Sequence, residues 1–484
     1  MDDRRHPVAP AAPAAPAAPA RSAALAAGTL ALLAGFVAMQ APRFTRFRGA
    51  GWDESVYWAM RDYLASGGRE GFVETLRTLG LPLLLVPFPT LVVARGFVLA
   101  LALGCLVVLQ RIAARRLDGA WSLGPPLLLA LFPPFFVLAG EVMTEVPALL
   151  LLLVAVACLL DRRAVAAGAC AMLACLVRLQ FVLYVPLLAV CVLVLEPRRR
   201  GRALLRFAAG TLCATPVLLL QAWAFRGSAG GAWAAITSPL VLQVAGGQSS
   251  PYLWLYRQPV LFFARDLVTW TPTALFAPVG LAAAIVAVAR RRPAWREDLA
   301  LVLLGVLPLC YLLVSTRKEH RYLVLAAPWM AYFIVAGLRA VLARIAPARR
   351  LAALGVLVLA AATAPGLPSR LEPEPQRPRA YYDHFLGAVA HVPRGARILT
   401  STPMLRSTGR VVVGYYDIRS FHDEVIRHHY DYVCYTPWAF PCADGDEACE
   451  RLHARTLAYL GRHYDVLRVA RDETPHDYLF RARK

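Results

Sequence analysis

Asp53 and Glu54 stand side by side in "GWDESVYW" (51–58), with Glu54 three residues before Tyr57 and the pair between Trp52 and Trp58 in sequence. A carboxylate at a membrane boundary can take the proton of an attacking hydroxyl, and a positioned base contributes roughly 100- to 10,000-fold to a rate. Two further acids, Glu141 and Glu145 in "GEVMTEVP" (140–147), are four apart and share a face if the segment is helical. Cations answer them. "STRKEHRY" (315–322) gathers Arg317, Lys318, His320 and Arg321 about Glu319, and "VRLQF" adds Arg178. The chain has fifty arginines but only two lysines, Lys318 and Lys484, so a lysine kept in this loop is notable. Cations crowded beside a membrane can neutralise a lipid phosphate, which no apolar wall can hold. Each segment also has a plainer reading: an aromatic belt at 52–58, hydrated loops at 140–147 and 315–322, and snorkelling for Arg178. Asp53 and Glu54, with no histidine cluster nearby, are a weak metal signature that leaves a divalent cation open there.

The elements that must position these residues are membrane spans. Of 484 residues, 58% are hydrophobic and 17% charged. A span takes roughly 20 apolar residues. Such runs recur near 22–42, 84–110, 121–140, 146–160, 164–178, 181–195, 203–225, 262–289, 299–315, 322–343 and 351–367. That predicts about eleven spans, to within one or two, with the 84–110 and 262–289 stretches long enough to hold an interfacial piece each. The fold class is therefore an α-helical polytopic membrane protein with a C-terminal extracytoplasmic α/β domain. The net charge of +21 does not mark a nucleic-acid binder, because the arginines concentrate in alternate loops, such as "RRRGR" (198–202) and "RRRPAWR" (290–296). This alternation places those loops and the N-terminus in the cytoplasm, and the segments at 43–80, 140–145, 226–260 and 315–321 outside. The first outer loop fits less well, since six arginines there accompany its five acids.

Three regions follow. Residues 1–21, with Ala-Ala-Pro repeated, lack core-forming side chains and read as a disordered cytoplasmic leader. Residues 22–368 are the membrane domain, and 369–484, beyond a Pro-rich linker, a small outer domain. Within it "ARILTST", "RVVVGYY", "DYVCYT", "YDVLRVA" and "YLFRAR" read as strands, while "YYDHFLGAVAHV" and "EACERLHARTLAYLGRHY" have helical spacing. Seven of the ten cysteines fall in spans, where Cys acts as a small apolar residue. Cys442 and Cys449 bracket "ADGDEA" and could bridge in an oxidising compartment, free thiols being the alternative.

The acidic pair written Asp-Glu-x-x-Tyr in the first outer loop, with many spans and an outer C-terminal domain, resembles the GT-C glycosyltransferases. "RKEHRY" is similar to the His-Lys-Glu-x-Arg-Phe loop of the branch that uses dolichyl-phosphate-mannose: Lys318, Glu319 and Arg321 match, whereas Arg317 replaces His and Tyr322 replaces Phe. The first motif also resembles bacterial lipid A aminoarabinose and related family-39-like transferases. The resemblance implies an inner-membrane enzyme that takes a sugar, mannose or another hexose or pentose, from a polyprenyl-phosphate carrier on the outer face. The acceptor would be a glycan, lipid or protein, and the step a single inverting displacement. On that model Asp53 is the base, Glu54 orients it or binds acceptor, and Glu145 or Glu141 closes the acidic side. Arg317, Lys318, Arg321 and Arg178 hold the departing phosphate, with Tyr57, Glu319 and His320 accessory. A transporter or flippase of a lipid-linked glycan is the competing expectation, and it would place charge near mid-bilayer.

Overall fold

The structure, a computed structural model, describes residues 18–46, 52–68, 77–224, 259–315 and 318–343 of the helical part. Of the C-terminal part it describes 392–393, 396–401, 412–414, 418–440, 442, 445–469 and 478–483. The helical part begins with α1 (Ala18–Arg46), α2 (Trp52–Ala65), α3 (Gly80–Leu85) and α4 (Leu91–Ala113). Next come α5 (Gly124–Leu131), α6 (Pro133–Leu138), α7 (Glu145–Leu160), α8 (Ala164–Val177) and α9 (Tyr184–Leu195). The series closes with α10 (Arg200–Thr211), α11 (Thr215–Ala224), α12 (Phe262–Trp270), α13 (Ala277–Ala289), α14 (Trp295–Val314) and α15 (Ala327–Leu342).

Five helical stretches are long and apolar enough to cross a bilayer: Ala23–Phe44, Leu91–Ala113, Arg200–Ala224, Pro272–Ala289 and Trp295–Val314. Five shorter apolar ones accompany them: Gly119–Leu131, Glu145–Leu160, Ala164–Val177, Leu179–Leu195 and Ala327–Leu342. The ten occupy the places of ten expected cores. The eleventh, 351–367, lies outside the described residues, as do the leader before Ala18 and the linker.

Prolines divide two of the expected runs. Phe132 and Thr271 each precede a proline and leave the helical region, with φ/ψ of −73°/119° and −141°/79°. A proline ring crowds the residue before it out of the α conformation, and the proline then starts the next helix. The 121–140 run thus becomes α5 and α6, and the 262–289 run becomes α12 and α13. The two breaks meet, with Phe132 edge-on to Trp270 at 6.3 Å. In the 84–110 stretch the helix α4 starts at Leu91, and the short α3 precedes it, reaching into the stretch only at 84–85.

Small residues let the helices approach. An added Cβ on Gly168 of α8 would lie 2.0 Å from the Phe207 carbonyl of α10, and one on Gly210 of α10 the same distance from the Val165 carbonyl of α8. Gly280 of α13 and Gly337 of α15 form a second such pair, against the Phe333 and Phe276 carbonyls at 2.0 and 2.1 Å. Close backbone approach of this kind replaces the hydrophobic driving force that lipid does not supply.

The C-terminal part holds a five-stranded sheet of β1 (Ile398–Thr400), β2 (Val412–Gly414), β3 (Tyr432–Tyr435), β4 (Tyr464–Val469) and β5 (Tyr478–Ala482), in the order β2-β1-β3-β5-β4. The first three strands run parallel, and β5 pairs antiparallel with β3 and β4. All five match the alternating stretches read from the sequence. Helix α17 (Glu447–His463) is the second expected helix, whereas α16 (Ile418–Arg427) was not anticipated, and "YYDHFLGAVAHV" falls outside the described residues. Cys442 and Cys449 are joined in a disulfide.

Gly280→Ala forces backbone apart between α13 and α15, and overpacking of this sort costs roughly 1–3 kcal/mol. The thermal midpoint in detergent is expected to fall for Gly280→Ala. It should hold or rise for Gly96→Ala, whose added Cβ meets nothing within 4 Å.

Candidate active site

Helix α2 opens with Asp53 and Glu54 in its first turn, where acids complement the partial positive charge of a helix N-terminus. Neighbouring positions on a helix point about 100° apart, so the two carboxylates part company. Glu54 turns inward, its side chain only 2% exposed, and Arg95 of α4 grips it with Nε at 2.8 Å and Nη2 at 2.5 Å. The backbone amide of Val142 donates to the same carboxylate at 2.9 Å. A buried charge is tolerated where it is paired and fully hydrogen-bonded, and Glu54 meets that condition. The result ties α2 to α4 and to the 140–144 loop. Glu54 thus anchors the first turn of α2, with its oxygens accepting from Arg95 and the Val142 amide.

Asp53 faces a different set of groups. Arg77 donates to one carboxylate oxygen and Arg321 to the other. Burial alone would raise this acid, but the two guanidiniums overcome it and hold Asp53 far below the ordinary carboxylate range. Arg321 also lies 2.6 Å from Glu319 and 3.7 Å from Glu145 through Nε. Glu145, at the start of α7 and 2% exposed, is 3.0 Å from Arg178. Arg178 in turn donates to Thr144 at 2.7 Å and Gln180 at 2.8 Å. The ring of Tyr322 lies against Arg178 and Arg321 at 5.5 and 5.8 Å, and its hydroxyl donates to Glu319 at 2.6 Å. Four segments far apart in the chain thus converge in one alternating row: Arg77, Asp53, Arg321, Glu145, Arg178. Acids and arginines interleave here, where the sequence suggested an acidic side facing a basic one.

The turn that carries Arg321 is fixed from below. Tyr184 of α9 donates to the Leu325 carbonyl at 2.6 Å, and the Trp329 indole of α15 donates to the Tyr184 hydroxyl at 3.2 Å. His320 and Arg321 open a 3₁₀ turn, in which successive side chains diverge by about 120°. His320 consequently leaves the row. It stacks on Phe262 at 4.9 Å, lies 4.8 Å from Trp270, and places Nδ1 3.0 Å from buried Asp266. Lys318 is also outside the row, with its ammonium donating to the Ser315 carbonyl and no carboxylate beside it among the described residues. Burial lowers its basicity. Arg317 lies outside the described residues. Tyr57 is buried under Arg77, whose guanidinium sits 4.8 Å over its ring.

Arg77 and Arg95 are the site residues that the sequence reading missed. Arg95 had a signal: it interrupts the apolar run "LVVARGFVLA", where a charge requires a partner. Arg77 had none, being one of several arginines in a mixed loop. All four oxygens of Asp53 and Glu54 accept guanidinium or amide hydrogens in this arrangement.

Comparison with known proteins adds the following. No family model and no curated protein matches the chain. Among solved structures it is similar to ArnT from Cupriavidus metallidurans bound to undecaprenyl phosphate, with a TM-score of 0.62 and 15% identity over 96% of this chain and 98% of that one. The apo form of ArnT gives 0.57 at 14% identity over the same shares. The Archaeoglobus fulgidus oligosaccharyltransferase in complex with Zn and sulfate gives 0.57 at 13% identity, over 89% of this chain and 69% of that one.

Glu141 supplies a pH-dependent test of the site's electrostatics. Burial first, and the Glu54 carboxylate second, raise it from 4.5 to about 7 against the pull of Arg43 and Arg95. An acid raised by folding favours the fold when protonated, so this contribution is lost as pH climbs through about 7. Glu141→Gln is neutral throughout. Its thermal midpoint should gain on that of the wild type as pH rises from about 5 to about 8; a constant offset would mean that Glu141 is not raised.

Proposed function

This chain is an integral membrane protein of the GT-C fold, and on that premise we propose that it is a glycosyltransferase using a polyprenyl-phosphate-linked sugar. It moves the sugar, mannose or another hexose or pentose, to a hydroxyl of a glycan, lipid or protein at the outer face of the inner membrane. The N-terminus is then cytoplasmic and the C-terminal domain periplasmic. The observation that carries this reading is the direct pairing of Asp53 with Arg321, which brings a base and a phosphate-binding cation to one point. The ArnT neighbour, which binds undecaprenyl phosphate, and the oligosaccharyltransferase neighbour, tethered in one structure to an acceptor peptide, support it.

The chemistry follows from the arrangement. The acceptor oxygen attacks the anomeric carbon, Asp53 takes the hydroxyl proton, and the bond from that carbon to the phosphate oxygen breaks. The electron pair leaves with the polyprenyl phosphate. Its growing charge is met by Arg321, with Arg178 behind it and Lys318 nearby in sequence, as cations meet other departing phosphates. In the resting protein Asp53 is too weak a base, because two guanidiniums stabilise its ionised form. A donor phosphate competing for Arg321 loosens that hold and raises the basicity of Asp53. Donor binding and base activation are thereby one event. A carrier would need ionisable residues along a mid-bilayer path. In the ten apolar helices, among the described residues, no Asp, Glu or Lys lies more than a turn from an end.

Asp53→Asn is expected to lower turnover at least about 100-fold with a polyprenyl-phosphate sugar donor, while the purified protein still binds polyprenyl phosphate. Turnover near that of the wild type would remove Asp53 from the role of base.

A further inference from the structure

The opposite end of the same helices carries a second basic site that the transfer chemistry does not use. Glu145 starts α7 at the acid–arginine row, and the helix ends at Leu160, 16 residues or roughly 24 Å away at 1.5 Å per residue. There a cavity of about 200 Å³ opens between the ends of α7, α8, α9 and α10. Its apolar part includes Leu159 and Val192, and its polar part Arg162, Arg199, Arg202 and Arg206.

Three of these arginines are set by one helix. Arg199 caps α10, and Arg202 and Arg206 lie three and seven residues on, which puts all three on the same face. The amides of the first turn of α10 add partial positive charge at the same end. One carboxylate, Glu196, also lines the cavity, and it lies 3.8 Å from Arg162. Arg162 further donates to the Leu195 carbonyl. Among the described residues no carboxylate pairs with Arg199, Arg202 or Arg206.

Several other arginines at this end are paired with acids. Arg111 and Arg115 both pair with Asp161, Arg116 holds Asp298 through two contacts of 2.7 Å, and Arg339 reaches Asp118 at 2.6 Å. The fold thus neutralises several of its basic residues from within, whereas Arg199, Arg202 and Arg206 converge on one cavity without such a partner among the described residues. Unpaired guanidiniums that share one helix face repel one another, and an anion between them relieves that repulsion.

We propose that this cavity binds a phosphate group, and that its source is an anionic phospholipid of the leaflet facing that end of the bundle. Two features favour a lipid over free phosphate. The cavity has an apolar wall beside its cationic one, and it sits at the end of α10, whose run from Arg200 to Ala224 is among the apolar stretches long enough to cross the bilayer. A headgroup would be held between Arg199, Arg202 and Arg206, with its acyl chains alongside α10. In the orientation given above this is the cytoplasmic leaflet, on the far side from the transfer site. The inference stands independently of the transferase reading.

The test uses the full chain in nanodiscs of phosphatidylcholine, with and without phosphatidylglycerol, and in phosphatidylcholine discs with inorganic phosphate. Thermal unfolding and native mass spectrometry are the readouts. The wild type is expected to melt higher with phosphatidylglycerol and to retain it through ejection from the disc. Each arginine removed, by Arg202→Gln or Arg206→Gln, should weaken phosphatidylglycerol binding about fivefold. The midpoint in pure phosphatidylcholine should be unchanged in these variants, since both side chains are exposed and carry no internal partner among the described residues. Stabilisation by inorganic phosphate alone, lost in the variants, would keep the phosphate site and overturn the lipid as its source. Equal stabilisation of wild type and variants by phosphatidylglycerol, or none in either, would overturn the site.

Discussion

The carboxylate of Asp53 and the guanidinium of Arg321 meet across 268 residues of chain, and one end of the helical domain is arranged about that meeting. Neither charge could sit alone at the edge of a hydrocarbon layer without a large desolvation cost. Pairing alone does not dictate their position, which depends on what grips each one. Arg95 and the Val142 amide hold Glu54 and thereby the first turn of α2, which aims Asp53. Tyr184 and Trp329 hold the 3₁₀ turn that aims Arg321. Most of the polar contacts at this end thus serve to place one acid beside one arginine.

An ion pair that holds a site together also silences it. Asp53 is held well below the ordinary carboxylate range, because Arg77 and Arg321 both stabilise its charge. The proposed chemistry turns that into a control: the phosphate that must leave is the group that competes for Arg321. Removing one guanidinium from the carboxylate weakens its stabilisation, and a base appears only when a donor is present.

Much of this architecture was legible in the sequence, for definite reasons. Apolar runs report spans because lipid leaves the backbone no alternative to a helix. The strands of the C-terminal part report themselves by their alternation. Asp53, Glu145, Arg178 and Arg321 were readable as charged residues at the ends of apolar runs, and the structure brings these four together. The fate of Glu54 was not readable. Its partner Arg95 lies 41 residues away inside an apolar run, and only the packing of α2 on α4 shows that the two meet. His320 was misleading for a local reason, because a 3₁₀ turn sends adjacent side chains in different directions and gives His320 to Asp266 instead. The interleaving of acids and arginines was equally hidden, since charge patches in a sequence carry no information about which members touch.

The most direct measurement is a structure of the protein in a lipid nanodisc with a polyprenyl phosphate bound. The account predicts phosphate oxygens within hydrogen-bonding distance of the Arg321 guanidinium, with the contact between Arg321 and Asp53 opened and Asp53 facing the space where an acceptor would stand. A phosphate bound elsewhere, with the pair between Asp53 and Arg321 intact, would contradict it.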